Sequence, residues 1–391
     1  MEKSFIGFFR LFFPVRRSDR NKLEELNKVL EREQIKYIKY MLKQGIISID
    51  LIKNYSLSDL GDIGNYFQLI LKKKDKEVEK NLNEINGIIK EYYNKNSFSK
   101  FAKRSDIITK YIAPNIIGMD IVKQAVTLQL FSKEKIHILL LGDPATGKTD
   151  ILRSVQNLAP VSSFGLGSGT TGVGLSISVV GKEISKGLLP MADNGICCID
   201  ELNLMKQEDQ ASLYNAMEKG FVTYDKGNTH IKFDARIRLL ATANPKDGKF
   251  RQKLPDIKKQ LPFEPALISR FHLVFIIKKP SEDEFIEITR NIVLKEKEKH
   301  DKKSDIDFIK EYIDYAQKKD VEFDNQLEPT ITNFIKDLKK KEDEFIIEIS
   351  PRLIIGIMNM SKARARMQLK NKVDKEDLQY VLNIVEKSLK I

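Results

Sequence analysis

The sequence predicts an α/β domain built on a mainly parallel sheet, followed by a helical lid and preceded by a small basic helical region. Two changes of pattern support this. From about Ser105, short apolar runs of strand length alternate with helix-like segments, as in parallel α/β sheets. From Ser281 the apolar spacing is helical to the end, with breaks near Asp320 and Ser350. We therefore expect three regions, residues 1–104, 105–280 and 281–391.

The first region is predicted to be helical and basic. Apolar residues recur at helical spacing from Lys22 to Gln44, and helix-like segments at about 57–72 and 76–94 flank the basic run Lys72 to Lys76. Its lysines either bind DNA or form solvated helix faces. The aromatic segment Phe5 to Val15 packs on the next helix, lies in a membrane interface or binds a partner.

The composition limits the classes of protein to which this chain can belong. The chain has 391 residues and a formal charge of +12, two-thirds of it in residues 1–104, so polyanions are expected partners. Adjacent Cys197 and Cys198 point to opposite faces of a strand and are interpreted as core residues, which fits a reducing, cytoplasmic setting. The four histidines have no zinc spacing, and no apolar run is long enough to span a bilayer.

The segment GDPATGKT follows an apolar strand and leads into a helix, which is the setting of a P-loop. Its glycines let backbone N–H groups surround a phosphate at the helix N-terminus. The lysine is expected to reach the β and γ phosphates of ATP, and the threonine to bind Mg²⁺. The residues predicted to hold the nucleotide are Gly142, Asp143, Pro144, Ala145, Thr146, Gly147, Lys148 and Thr149.

Paired carboxylates end a second apolar strand, ICCIDE. Asp200 is predicted to hold the Mg²⁺ shell, and Glu201 to polarise the attacking water. The alternative is a buried strand that runs into an acidic pair at the surface.

Two further polar residues are candidates for the same chemistry. Asn244, in ATANP, ends a strand where its amide can orient the hydrolytic water; alone, the Asn-Pro pair indicates a turn. Arg270, in ALISRF, can stabilise transition-state charge on a nucleotide of a neighbouring subunit. As an isolated residue, it would be a surface ion pair.

These motifs, in this order and spacing, resemble those of minichromosome-maintenance (MCM) AAA+ helicases over residues 105–391. The resemblance rests on GDPATGKT, NGICCIDELNLM, ATANP, LISRF and SPRLIIGIMNMSKARARMQL, with YIAPNIIGMDIVKQAVTLQLF similar to the family's lead-in. It implies a ring, either a homo-hexamer or a mixed ring with a relative, with ATP bound between subunits. In one subunit the resemblance implies cis roles for Lys148, Thr149, Asp200, Glu201 and Asn244. It also makes Arg270 the arginine finger and Arg352 sensor 2, both acting on the neighbouring subunit's nucleotide.

Two inserts resemble the parts of the family that contact DNA. The segment Gly167 to Gly195 is similar to the helix-2 insert, and Phe221 to Phe233 to the pre-sensor-1 hairpin. Lys226 falls at the position of a pore lysine. Without the resemblance, Lys226 would be a solvated residue of a hairpin turn.

The chain also departs from the family's pattern. It has DELN where DEFD is usual, its helix-2 insert is several residues short, and residues 1–104 are too short for the family's amino-terminal assembly. We therefore expect a minimal or divergent member. The leading hypothesis is an ATP-hydrolysing, DNA-associated helicase or translocase that acts in replication with Mg²⁺ and without zinc. The alternative is a regulatory or scaffold subunit that joins a relative's ring, or remodels another protein, without unwinding.

Overall fold

A computed structural model describes residues 97–116, 118–180, 183–226, 229–250, 254–279, 285–286, 289 and 302–389. The fold divides into two compact units, residues 1–101 and 102–391. The helices predicted before residue 97, the aromatic segment Phe5 to Val15 and most of residues 280–301 lie outside the described residues. Within the described residues, no helix is both long and apolar enough to cross a membrane.

A parallel five-stranded sheet forms the centre of the second unit, in the order β2-β5-β8-β1-β9. Among the described residues of this unit, the strands are β1 (Ile138–Gly142), β2 (Ser162–Leu166), β3 (Ile177–Val180), β4 (Glu183–Lys186), β5 (Ile196–Asp200), β6 (Phe221–Lys226), β7 (Thr229–Asp234), β8 (Arg238–Ala243) and β9 (Leu273–Ile277). The predicted parallel α/β sheet is therefore confirmed.

Burial explains why three of these strands were visible in the sequence. Every residue of β1, β5 and β8 is buried, and strands covered on both faces are continuous apolar runs. Cys197 and Cys198 both lie in this core, and burial raises the pKa of the Cys197 thiol to about 11. The edge strand β2 was not predicted, because its sequence SSFGL contains few apolar residues and alternates in burial.

Two antiparallel hairpins project from this domain. Strands β3 and β4 pair from Ile177 opposite Lys186, and β6 and β7 pair from Phe221 opposite Asp234. The first hairpin lies in the segment that resembles the helix-2 insert, although its strands were not predicted. The second hairpin matches the two strands predicted in Phe221 to Phe233, and its turn at residues 227–228 lies outside the described residues.

Helices cover the sheet and form the lid. The named helices are α1 (Asp120–Phe131), α2 (Lys148–Leu158), α3 (Gly172–Leu175), α4 (Leu188–Met191), α5 (Gln210–Lys219), α6 (Leu254–Lys259), α7 (Pro265–Ile268), α8 (Lys302–Gln317), α9 (Glu328–Lys339), α10 (Pro351–Met367) and α11 (Lys375–Leu389). The lid breaks on either side of α9, as predicted, and again between α10 and α11. The break after α10 was not predicted; there Leu369 adopts a left-handed conformation with φ 56°.

Buried arginines of α10 attach the lid to the sheet domain. Arg364 forms a bidentate ion pair with Asp106, and its guanidinium lies 4.3 Å from the centre of the Tyr380 ring. Arg366 pairs with Glu134 at 3.2 Å and donates to the Phe131 carbonyl. These contacts fix the lid against α1 and the segment that leads into β1.

Candidate active site

The P-loop connects the end of β1 to the start of α2. Gly147 adopts a left-handed conformation with φ 80°, which glycine reaches without steric cost, and helix α2 begins at the next residue. At Gly142 a Cβ atom would lie 2.8 Å from the Ile277 Cβ of the neighbouring strand β9. The strand, loop and helix therefore occur in the predicted order. Gly147 allows the turn, and Gly142 allows β1 to lie close to β9.

Lys148 lies inside this loop. Its ammonium donates to the carbonyl oxygens of Gly142 at 2.9 Å and Asp143 at 2.6 Å. Burial lowers the pKa of Lys148 to about 8, against the opposing attraction of Asp143, Asp200 and Glu201. The lysine is thus held where phosphate oxygens can replace the loop carbonyls as its partners.

Asp200 is the centre of a hydrogen-bonded chain between neighbouring strands. It is 5% exposed; one carboxylate oxygen accepts from the Thr149 hydroxyl at 2.8 Å, and the other accepts from the Thr242 hydroxyl. The Thr242 oxygen in turn accepts from the backbone N–H of Glu201 at 2.9 Å. The predicted metal-binding pair Thr149 and Asp200 is therefore adjacent, and Thr242 connects it to Glu201.

Asn244 reaches the same edge of the sheet. It follows β8, which pairs with β5 on one side and β1 on the other, so it lies beside the ends of both strands. Its backbone N–H donates to the Asn203 side-chain oxygen at 3.0 Å. The structure thus brings five predicted residues to the side of the sheet where the parallel strands end, which we call the carboxyl edge. They are Lys148, Thr149, Asp200, Glu201 and Asn244.

A cavity of about 650 Å³ opens beside the P-loop. That volume is within the range of small-molecule pockets. It is lined by the P-loop residues Ala145 to Gly147, by the end of β9 and by Asn383 and Lys387 of α11. The sequence interpretation did not include the two lid residues, because α11 is distant in the chain and has no motif of its own.

Arg270 and Arg352 lie together at the opposite ends of the strands. We call this side of the sheet, where the parallel strands begin, the amino edge. Arg270 precedes β9, whose first residue pairs with the first residue of β1. Arg352 donates to the carbonyl oxygen of Ser269, next to Arg270. The pKa of Arg352 is lowered by burial and by the positive charge of Arg270.

The two edges are separated by the length of the strands. At about 3.3 Å per residue, the five residues of β9 separate its ends by roughly 13 Å. The P-loop lies beyond one end of β9 and Arg270 beyond the other. Arg270 therefore does not reach the P-loop of its own chain in this conformation.

Glu218 organises the amino edge. Its carboxylate pairs with Arg270 at 3.1 Å, and its backbone carbonyl accepts from the Lys135 ammonium at 2.6 Å. The Arg270 guanidinium also lies 4.7 Å from the centre of the Tyr214 ring. The charge of Glu218 also attracts Lys135 and Arg352, so three cations lie near one carboxylate. The sequence interpretation missed Lys135 and Glu218.

Two of the scattered histidines meet beneath this cluster. The ring centres of His137 and His272 are 5.2 Å apart. His137 Nδ1 accepts from the Leu239 N–H and His272 Nδ1 accepts from the His137 N–H, so both rings bond to the backbone. Burial and the nearby cations lower the pKa of His272 to about 4. The neutral rings therefore support the amino edge.

Lys226 is the last residue of β6, paired with Thr229 of β7 across the turn. Its position at the end of a hairpin agrees with the prediction, and its side chain lies outside the described residues. On the body of the hairpin, the Lys232 ammonium lies 4.1 Å from the centre of the Phe221 ring. Lys226 thus belongs to a separate two-stranded hairpin and not to the central sheet.

Sequence comparisons identify similar proteins. The family profile described as the MCM P-loop domain matches residues 94–296, and the profile of the MCM AAA-lid domain matches residues 307–389. The minichromosome maintenance protein MCM of Saccharolobus solfataricus is 32% identical over 306 residues, which cover 72% of this chain and 44% of that protein.

Two other relatives give a similar result. An uncharacterized MCM-type protein of Methanocaldococcus jannaschii is 32% identical, covering 75% of this chain and 47% of its own length. The DNA replication licensing factor mcm7 of Xenopus tropicalis is 28% identical, covering 71% of this chain and 42% of its own length. The chain matches less than half the length of these three relatives.

Proposed function

This chain belongs to the MCM family, and we propose that it hydrolyses ATP between the subunits of a ring and uses the energy to unwind DNA or move along it. The observation that carries the proposal is the separation of the candidate groups between two edges of one sheet. The P-loop and the acidic pair lie at one edge, and Arg270 and Arg352 lie at the other. Each chain would therefore supply one half of each of two different sites.

At the carboxyl edge, the P-loop backbone and Lys148 would hold the phosphates of ATP. Lys148 would exchange its bonds with the loop carbonyls for bonds to the β and γ phosphates. Glu201 would accept a proton from the attacking water, and the Asn244 amide would orient that water. The nearby cavity, with Asn383 and Lys387, would receive the rest of the nucleotide.

Thr149 and Asp200 fit a magnesium ion. Their oxygen atoms lie 2.8 Å apart at the end of the P-loop, and Mg²⁺ prefers a few oxygen ligands completed by phosphates and water. Bound there, the ion would neutralise charge that develops on the phosphates. The Thr242 hydroxyl would keep the Asp200 carboxylate in place.

At the amino edge, Arg270 and Arg352 would act on the nucleotide of the neighbouring subunit. Arg270 is already held by Glu218 and by the face of Tyr214. Its Nε is buried and, among the described residues, makes no hydrogen bond. An arginine preset in this way would contact the transferred phosphate with little loss of side-chain entropy.

The hairpins would contact DNA. Lys226 would bind a phosphate as a point charge, a contact that carries force without reading sequence. The net charge of +12 favours association with a polyanion. We propose a homo-hexamer or a mixed ring with a relative, and retain residues 1–104, 105–280 and 281–391 as the proposed domains.

The test is ATPase activity of the purified chain with and without single-stranded DNA, together with its mass in solution. Turnover that rises with DNA, from an assembly of several chains, is the expected result. A monomer that remains inactive with DNA would overturn the proposal and favour the regulatory or scaffold role. Adding a full-length relative to that monomer would then test whether it joins a mixed ring.

A further inference from the structure

The backbone of Glu201 is held in an unusual conformation. Glu201 has φ 53° and ψ 44°, in the left-handed region that residues other than glycine rarely adopt. Its N–H donates to Thr242, and its carbonyl accepts from the Leu204 N–H at 2.9 Å. Such a conformation persists only where the surroundings determine it.

Gly167 is one of those surroundings. It follows β2 and begins the insert, and its Cα lies directly against the Glu201 carbonyl group. A Cβ atom at Gly167 would overlap the Glu201 carbonyl oxygen, lie 2.8 Å from its carbon and lie 3.1 Å from the Leu202 Cα. These are backbone atoms, which cannot move aside as the end of a flexible side chain can. Only glycine permits this approach without displacing Glu201.

A second contact joins the insert to the segment after Glu201. The Gly172 N–H donates to the Asp209 carboxylate at 2.5 Å. At the base of the hairpin β3-β4, the Gly187 N–H donates to the Ser176 carbonyl at 2.7 Å, which closes the insert on itself. The start of the insert is thus bonded at one end to residues that follow Glu201 and at the other to the hairpin.

We propose that Gly167 is a positioning residue for ATP hydrolysis and that the contact between Gly167 and Glu201 transmits displacement of the insert hairpin to Glu201. This inference rests on the proposed function, because it takes Glu201 as the group that accepts the proton from water. Movement of the hairpin on DNA would shift the insert base, and the close contact leaves the Glu201 peptide no room to stay where it was. Basal turnover depends on the contact itself, whereas stimulation by DNA also needs the bond from Gly172 to Asp209.

The first experiment compares Gly167→Ala with Gly169→Ala. Gly169 is two residues further along the same insert, has no positive φ, and a Cβ atom there would meet nothing within 4 Å. Gly167→Ala should lower kcat by tenfold to a hundredfold, on the order of what a misplacement of about 1 Å costs, with binding of a fluorescent ATP analogue within about twofold of wild type. Gly169→Ala should match wild type in both measurements.

The second experiment uses Asp209, which does not touch the nucleotide-binding groups. Asp209→Ala should leave turnover without DNA unchanged and reduce its stimulation by single-stranded DNA at least about threefold, because the insert loses its second attachment. Asp209→Asn keeps an oxygen that accepts from the Gly172 N–H and should restore stimulation. This pair remains informative if Gly167→Ala fails to fold.

The outcomes separate the inference from the proposed function. A wild-type chain without ATPase activity, alone or with DNA, would overturn both. Active wild-type protein with equal kcat in Gly167→Ala and Gly169→Ala would overturn the inference alone. So would normal DNA stimulation in Asp209→Ala, because the attachment would then carry no signal.

Discussion

The two edges of the central sheet hold their charged groups in different ways. At the carboxyl edge, Asp200 is nearly buried and is bonded to threonines of two other segments, Thr149 and Thr242. At the amino edge, the cations Arg270 and Lys135 gather around Glu218, with half of the Glu218 side chain exposed. The carboxyl edge therefore holds a buried acid, Asp200, in a chain of hydrogen bonds, and the amino edge presents cations near the surface.

This contrast supports the proposal that one chain supplies two unlike half-sites. Buried hydrogen-bonded groups keep their geometry, so the carboxyl edge is ready to bind phosphates and a cation. A cluster of like charges near the surface is unfavourable by itself and is relieved by an anion. In the proposed ring, the amino edge of one chain would therefore complement phosphates bound at the carboxyl edge of another.

Substitution of Arg270 at the amino edge should reduce hydrolysis the most. Arg270→Ala should leave ATP binding nearly intact and lower hydrolysis by about 10³–10⁵-fold, the range for loss of an arginine finger. Mixing Arg270→Ala subunits with Glu201→Gln subunits should restore some activity, because some interfaces then pair an intact Arg270 with an intact Glu201. Turnover of the mixture is the measurement, and no regain from assembled mutants would remove the main support for a shared site.

The next effect separates two groups at the carboxyl edge. Lys148→Ala should weaken nucleotide binding, whereas Glu201→Gln should keep binding and trap ATP, because only the second change removes the water-activating charge. Nucleotide binding and single-turnover hydrolysis measure the two. Wild-type turnover in Glu201→Gln would contradict the assignment of the proton acceptor.

A smaller effect tests the bonded chain itself. Thr242→Val removes the hydroxyl that donates to Asp200 and accepts from the Glu201 N–H. Leaving such buried groups without a partner costs about 1–3 kcal/mol in unfolding free energy, and we expect turnover to fall roughly tenfold. Thr242→Ser keeps the hydroxyl and is the matched control. Equal turnover of the two variants would mean that the chain does not position these groups.

The pKa of Lys148, about 8, predicts a pH dependence of binding. In the free protein the charged fraction of this lysine falls as pH rises through 8, and phosphates favour the charged form. ATP binding should therefore take up a proton, and its affinity should fall about fourfold from pH 7 to 8.5. Because burial disfavours the charged amine, its contribution to the free energy of unfolding should rise from pH 8 towards 10.5.

Calorimetric titrations in buffers of different ionisation enthalpy measure this proton uptake. The control is Lys148→Arg, which stays charged throughout the range and should bind ATP with little change over these pH values. Equal pH dependence in the two proteins would assign the titration to another group.

A weaker effect is expected for Lys226, which lies in the hairpin outside both edges. Lys226→Ala should leave basal ATPase unchanged, reduce DNA stimulation and translocation, and lower the salt slope of single-strand binding by about 0.7. Lys232→Ala removes the same charge from the body of the hairpin, where the ammonium lies against Phe221, and is the matched control. An unchanged salt slope with normal translocation in Lys226→Ala would contradict the proposed contact of Lys226 with DNA and leave the hairpin only a structural role.

The amino-acid sequence alone predicts the features that are contiguous in the chain. The P-loop, the acidic pair after an apolar strand and the helical lid are each encoded within a short window, so their residue types and spacing predict them. Fully buried strands such as β1 and β5 were visible for the same reason. The weakly apolar strand β2 was not, because its edge position came from pairing with β5.

The contacts between residues that are distant in the chain depend on how the strands pair. Strand β5 pairs with β8 on one side and with β2 on the other, which places Thr242 beside Asp200 and brings Gly167 against Glu201. The same parallel arrangement sends the P-loop and Arg270 to opposite edges, although both adjoin the paired strands β1 and β9. Spacing along the chain cannot specify these distances, because they depend on which strands pair and on how closely their backbones pack.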